Sequence, residues 1–274
     1  MSSEPVDQGL YDEDYYRESC GGSEFYRLYG PRTLKPQLAY ALRLGDVSAG
    51  KTVLDLGCGR GELLYHVEKA GARGVGTDYA AAALGVAKEN AGGRVLRCDA
   101  KALPFVDAAF DRAFLLGVVD HLHDWELERC FEELSRVLKP GGFVVLHTCT
   151  NRLHYKTLTY AARARFARGA RRLGLPMKDP RRPRSDEDES LHVNEHSQGD
   201  LERFFSKIGW QADIEAMPNY KSLVGRLYGD RLPEGFPLKA YAPWRAALAR
   251  GTAKTPLAPL LAREFFVVAR PRRV

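Results

Sequence analysis

From Lys51 onward the chain alternates short apolar runs with longer amphipathic ones, each pair closed by a turn signal. TVLDLG predicts a buried strand, ELLYHVEKAG a helix ending in glycine, and GVGTD a second strand. AAALGVAKEN is the next helix and RVLRCD the third strand, and FDRAFLLGVVDHL opens as the fourth. ELERCFEELSRVLKPGG predicts a helix closed at Pro140-Gly141, and FVVLHTC a fifth strand. Strands that alternate with helices imply a parallel sheet covered on both faces, an α/β fold.

The rhythm is interrupted twice. Residues 1–48 form an aromatic-rich N-terminal cap, with a helix expected through PQLAYALRLG and stopping at Gly45. Residues 49–150 hold the regular core, and 151–198 an insertion that is first basic, then proline-rich, then acidic. The pattern resumes with GDLERFFSKIGW, a helix with Asp200 as its expected cap, and a strand at QADIEA. A second insertion is expected over about 217–262, before EFFVVARP closes the pattern as a last strand. The expectation is one decorated domain spanning 1–274.

Composition changes this picture little. The 274 residues are 45% hydrophobic and 28% charged, ordinary values for a globular domain. Five scattered cysteines, with no Cys-x-x-Cys pair, indicate neither a zinc site nor a disulfide framework, so no metal is expected. MSSEPVDQGLYDEDYY is acidic and polar, unlike a secretory leader, and no apolar run approaches the ~18 residues of a membrane span. A cytoplasmic location is expected. The net charge of +6 is unevenly placed: residues 152–184 hold eleven Lys and Arg against one acid, Asp179.

The chemistry is concentrated in VLDLGCGRGELL, residues 53–64. A dinucleotide turn reads G-x-G-x-x-G, whereas Gly57, Gly59 and Gly61 give G-x-G-x-G and Glu62 stands where the third glycine belongs. Asp55 adds a carboxylate just before the turn. Such acids repel a pyrophosphate and suit a cationic ligand without phosphate. S-adenosylmethionine (SAM), with its sulfonium and α-ammonium, is such a ligand. Acids recur at successive strand ends, Asp78 after the second strand and Asp99 after the third, where open parallel sheets bind ligands.

On these motifs residues 48–150 resemble the class I SAM-dependent methyltransferases. The resemblance implies a Rossmann-like, doubly wound, mostly parallel seven-stranded sheet with an antiparallel last strand. It implies SAM as cofactor and S-adenosylhomocysteine as product. It places Asp78 on the ribose hydroxyls and Asp99, with Ala100, at the adenine. Leu116 and Gly117 would meet the methionine end, and Tyr79 packs either on the adenine or on its own strand end. Asp55, Gly57, Cys58, Gly59 and Gly61 would form the cofactor turn, although the Cys58 side chain itself is expected to face the core. YDEDYYRESCGGSEFYRLYGPR and LHVNEHS further resemble a group of bacterial methyltransferases of polysaccharide and secondary-metabolite pathways, which would make residues 11–30 and 191–197 parts of an acceptor pocket and lid.

A general base helps when the methyl acceptor is a hydroxyl. Candidates lie after the fourth strand (Asp120, His121, His123), in the cap (Tyr11, Tyr15, Tyr16) and in LHVNEHS (His192, Asn194, Glu195, His196). His121, Tyr16 and His192 are taken as the catalytic set. Cys149 stands where RNA cytosine-5 methyltransferases keep a nucleophile, but their Pro-Cys pair is replaced by GVVDHL, and the Asn/Asp-Pro-Pro-Tyr/Phe motif of DNA amino-group methylases is absent.

TLTYAARARFARGARRLGL predicts a helix with Leu158, Ala162, Phe166, Ala170 and Leu173 on one stripe. Three roles are open for it: a lid packing that stripe over the site, a helix lying on an anionic membrane, or a surface for RNA or another anionic acceptor. SDEDES offsets part of its charge and disfavours nucleic acid as partner. The sequence therefore points to methyl transfer from SAM to a small-molecule or glycan acceptor, at oxygen. The alternatives are an RNA or protein methyltransferase, a non-catalytic SAM-binding protein and a nicotinamide enzyme.

Overall fold

The computed structural model describes residues 4–91, 94–149, 151–180, 191–217, 255 and 258–272. Within them the expected alternation is realised. Helices α1 (Ser23–Tyr29) and α2 (Pro36–Leu44) precede β1 (Thr52–Leu56), α3 (Glu62–Lys69), β2 (Arg73–Asp78), α4 (Ala81–Ala91), β3 (Val95–Arg97) and β4 (Phe110–Leu116). Then come α5 (Asp124–Val137), β5 (Leu138–Thr148), α6 (Tyr155–Leu158), α7 (Tyr160–Arg172), α8 (Gln198–Lys207), β6 (Trp210–Met217), α9 (Ala258–Leu261) and β7 (Glu264–Pro271). The second insertion expected at about 217–262 lies mostly outside the described residues.

The seven strands form one sheet in the order β3-β2-β1-β4-β5-β7-β6. The pairs β1–β2, β1–β4, β2–β3 and β4–β5 are parallel, and β7 runs antiparallel to both β5 and β6. Strand order reverses between β1 and β4, and a crevice opens there at the carboxyl ends of the strands. The sheet is covered on both faces because its central strands direct apolar side chains to each side. One apolar cluster joins Leu54 and Leu115 to Phe131, Leu134 and Phe205, from α5 and α8. The other joins Val53 and Phe114 to Tyr40, Leu63 and Val67, from α2 and α3.

Three local expectations change. β5 begins at Leu138, directly after α5, so the LKPGG stretch belongs to the strand rather than to a separate turn. The cap of α8 is Ser197, whose hydroxyl accepts from the Asp200 N–H. Asp200 is the third residue of that helix and returns a bond to the Ser197 N–H at 2.9 Å, a capping box. The third change concerns α7. Its buried positions are Ala167 and Ala170, whereas Leu158, Phe166 and Leu173 are 58%, 70% and 81% exposed. Of the expected stripe only Ala170 is buried. Small alanines allow close approach on the inner side, and the large apolar residues are turned outward among the arginines.

Candidate functional site

The glycine turn is built by three left-handed residues, Gly57, Gly59 and Gly61, with φ of 75°, 49° and 75°. Two of them also lack room for a side chain. A Cβ on Gly57 would lie 2.3 Å from Val118 Cγ2, across the crevice, and one on Gly61 would lie 3.1 Å from the Ala87 backbone. The turn thus brings β1 against the end of β4 and α3 against α4. Cys58 contributes its backbone, donating N–H to the Thr77 carbonyl at 2.9 Å, while its side chain packs with Leu64, Ala87 and Ala91.

A cavity opens beside this turn. Its walls include Asp55, Gly57, Cys58, Gly59, Asp78, Tyr79, Asp99, Ala100, Leu116 and Gly117, which are the residues expected at the cofactor except Gly61. Tyr11, Tyr15, Tyr16, Lys35, Arg60, Glu62 and His121 line it too. Asp78 Oδ2 accepts the Gly59 N–H at 2.9 Å, and its Oδ1 accepts the Ala80 N–H at 3.0 Å and the Tyr16 hydroxyl at 3.3 Å. Burial raises its pKa against the pull of these bonds. Asp99 lies at the rim, held by Lys101 at 3.0 Å, and Lys101 also meets Glu126 at 2.8 Å.

Asp55 is the informative acid. It is 3% exposed, and burial followed by the charges of Asp78 and Glu62 pushes its pKa up to about 7. Glu62 Oε1 is buried without a hydrogen-bond partner. Buried acids with an unspent carboxylate oxygen fit a ligand with a cationic end and disfavour a pyrophosphate. The electrostatics disfavour a nicotinamide dinucleotide on this ground. They match SAM, whose adenosine diol would face Asp78 and whose ammonium would face Asp55.

The raised pKa of Asp55 has a consequence for stability. Its folded value lies above the ordinary 3.8, so the folded state binds a proton that the unfolded state has released as pH rises from about 4 to 7. The ionised carboxylate therefore costs the unliganded fold on the order of 4 kcal/mol above neutral pH. The melting temperature of Asp55→Asn, minus that of the wild type, is expected to increase between pH 4 and pH 8. A difference that stays constant over this range, measured by calorimetry without ligand, would contradict the assignment.

At the cavity mouth the Tyr11 hydroxyl lies 2.9 Å from His121 Nδ1, and the His121 ring lies 4.8 Å from that of His192. His192 Nδ1 is buried and has no partner. Burial, then the neighbouring carboxylates Asp78 and Glu126, push the Tyr11 phenol far above its usual range, so it stays neutral. Tyr11 is thus the cap tyrosine that meets His121, whereas Tyr16, taken from the sequence as catalytic, points its hydroxyl at Asp78 on the cofactor side. The LHVNEHS loop is brought to the same place: the Asn194 N–H donates to the Asp120 carbonyl at 3.1 Å, and its amide to Leu122 O and Asp124.

Other candidates are drawn into structural roles. The Asp120 carboxylate is buried and accepts from the Thr148 hydroxyl and the Cys149 N–H. His123 opens α5, donating N–H to Glu126 at 3.1 Å, with its ring on the Glu4 carbonyl. His196 is buried behind the loop, and burial lowers its pKa. Burial, then Asp120, pushes the Cys149 thiol up to about 12, which favours the protonated form over the nucleophilic thiolate. Among the described residues no group of three His, Cys, Asp or Glu could hold a metal ion.

Residues 54–146 match the model of a methyltransferase domain family. Over these residues the chain carries a methyltransferase domain, consistent with the class I SAM-dependent methyltransferases. Curated relatives include demethylmenaquinone methyltransferase of Thermus thermophilus, 40% identical over 39% of this chain and 50% of its own. They also include Probable tRNA methyltransferase 9B of Mus musculus, 35% identical over 38% of this chain and 23% of its own. The chain thus covers half or less of the length of these two relatives. In fold, the chain is similar to Haemonchus contortus phosphoethanolamine N-methyltransferase 2 bound to phosphomonomethylethanolamine and S-adenosylhomocysteine. That likeness has a TM-score of 0.58 and 20% identity, over 96% of this chain and 60% of the other. The names of these proteins span small-molecule and tRNA acceptors, so similarity to them does not choose between the two classes.

The sequence reading missed Arg60, Lys35 and Lys101 as cavity residues. Arg60 lies within the glycine turn and Lys101 directly after Asp99-Ala100, where the motif gives variable positions no role, and Lys35 comes from the cap.

Proposed function

We propose that the protein transfers the methyl group of SAM to a hydroxyl of a small-molecule or glycan acceptor, with Tyr11 and His121 at the acceptor end. The observation that supports this most is the Tyr11–His121 contact at the mouth of the cavity, beside the Gly117 end of β4. SAM, when bound, supplies a methyl group on an electrophilic sulfonium. The chain's own work is then to align an acceptor, exclude water and remove a proton. Asp78 would hold the ribose, Asp99 the adenine edge, and Asp55 the ammonium. His121 takes the proton of the acceptor hydroxyl. The neutral Tyr11 hydroxyl, at Nδ1, holds the ring in place and receives a hydrogen bond from the imidazolium that forms. An amine acceptor attacks in its neutral form and needs this base less, which favours oxygen.

Incubation with methyl-labelled SAM and fractionated extract tests the acceptor class. Label is expected in small molecules or glycans of the aqueous or lipid fraction. Label confined to tRNA or protein would overturn this part of the reading.

One observation supports a surface role for α7. Phe166 and Leu173 lie exposed among Arg163, Arg165, Arg168 and Arg172, an apolar stripe framed by cations. Such a face suits an anionic lipid surface, and among the described residues no helix is long and apolar enough to cross a membrane. Vesicles containing phosphatidylserine are expected to sediment the protein at low salt, and Phe166→Asp with Leu173→Asp to abolish this. Retention of the double variant, or binding to RNA alone, would rule the lipid reading out.

A further inference from the structure

Arg60 lies between two glycines of the cofactor turn, yet its guanidinium is 3% exposed. It points into the N-terminal cap. Nη1 donates to the Tyr16 carbonyl at 3.1 Å, Nη2 to the Gly21 carbonyl at 3.3 Å, and the guanidinium sits 4.9 Å from the centre of the Tyr26 ring. Nε donates to Glu62 Oε2 at 2.9 Å. The cap segment so held, Tyr15–Ser19, is a π-helical turn, a backbone form with weak intrinsic stability. One oxygen of Glu62 therefore anchors the cap's latch. The other, Oε1, is buried without a partner in a side chain that lines the cofactor cavity next to Asp55.

We propose that Glu62 is a second carboxylate for the ammonium of the cofactor, and that Arg60 is a positioning residue that couples its occupancy to docking of cap residues 15–21. This rests on the SAM reading of the cavity. A cation on Oε1 lowers the electrostatic cost of the two buried acids, Asp55 and Glu62. It also fixes the Glu62 rotamer that orients Arg60. The cap is thereby held over a loaded cofactor, with the Tyr16 hydroxyl already on Asp78. Coupling of this kind is reciprocal: whatever loosens the cap weakens the cofactor, and the converse. Acceptor residues on the cap, Tyr11 above all, then take their places only when a methyl donor is present.

Two probes separate this from a structural role. S-adenosylhomocysteine carries the ammonium, and methylthioadenosine keeps the adenosine but lacks the amino-acid end. Calorimetry is expected to show Glu62→Gln weakening S-adenosylhomocysteine about ten- to a hundredfold, the range for losing one charged hydrogen bond, with methylthioadenosine changed less than threefold. Hydrogen exchange is expected to slow over residues 15–21 when S-adenosylhomocysteine binds the wild type, and to be indifferent to it in Arg60→Met. Arg60→Lys, which keeps the charge and loses the forked geometry, gives the same result if the methionine variant does not fold. Equal weakening of both probes by Glu62→Gln, or none, overturns the ammonium assignment. Ligand protection retained in the Arg60 variants overturns the coupling. No binding of either probe to the wild type would instead remove the SAM reading itself.

Discussion

Replacing Asp78 by Asn is expected to weaken S-adenosylhomocysteine by about a hundredfold to a thousandfold while the protein stays folded. The carboxylate has two jobs. It closes the glycine turn through the Gly59 and Ala80 N–H groups, and its remaining acceptor capacity faces the cavity, where a ribose diol would donate to it. Two hydrogen bonds to a charged acceptor contribute on the order of 1.5–3 kcal/mol each. The amide keeps one oxygen for the turn but presents N–H to donors on its other side. It also removes a buried charge whose pKa is raised by desolvation, which offsets part of the structural loss. The melting temperature should therefore move by only a few degrees. Calorimetric titration with S-adenosylhomocysteine decides the matter: an affinity within threefold of the wild type would remove the ribose assignment.

The second large effect is kinetic. His121→Ala should lower kcat about a hundredfold to ten-thousandfold, the usual contribution of a positioned general base, and leave cofactor affinity unchanged. Tyr11→Phe should lower it less, because the imidazole remains and only its partner at Nδ1 is lost. Tyr16→Phe should act instead on cofactor affinity, since its hydroxyl meets Asp78 rather than His121. Rates measured with the acceptor found by labelling would reveal the pattern. Equal rates for His121→Ala and the wild type would show that the acceptor is activated elsewhere, or needs no base.

Much of the cofactor end was legible in the chain because it is local. Gly57, Gly59 and Gly61 occupy one turn, and Asp55 and Asp78 stand at or near the ends of adjacent strands whose order follows from the alternation of elements. The acceptor end was less legible. Tyr11 and His121 are 110 residues apart, and three tyrosines of the cap offer the same chemistry. Which of them reaches His121 depends on how a π-helical turn seats against the glycine loop, and no periodicity encodes that. The arginine-rich helix shows the same limit. Its amphipathic pattern marks two sides, but small and large apolar residues compete for the inner one, and here close packing selected Ala167 and Ala170.

The sequence by itself determined the α/β class, the strand order's parallel core and the seat for a methyl donor, since these follow from hydrophobic period, glycine spacing and acids placed at strand ends. Only the tertiary structure decided that Asp55 is buried beside Asp78 and Glu62, that Glu62 keeps a buried oxygen without a partner, that Arg60 ties the cap to the turn, and that Tyr11 pairs with His121. Each of these depends on burial and on contacts between segments far apart in the chain, and the cost of an unpaired buried charge is set by its surroundings rather than by its neighbours in sequence.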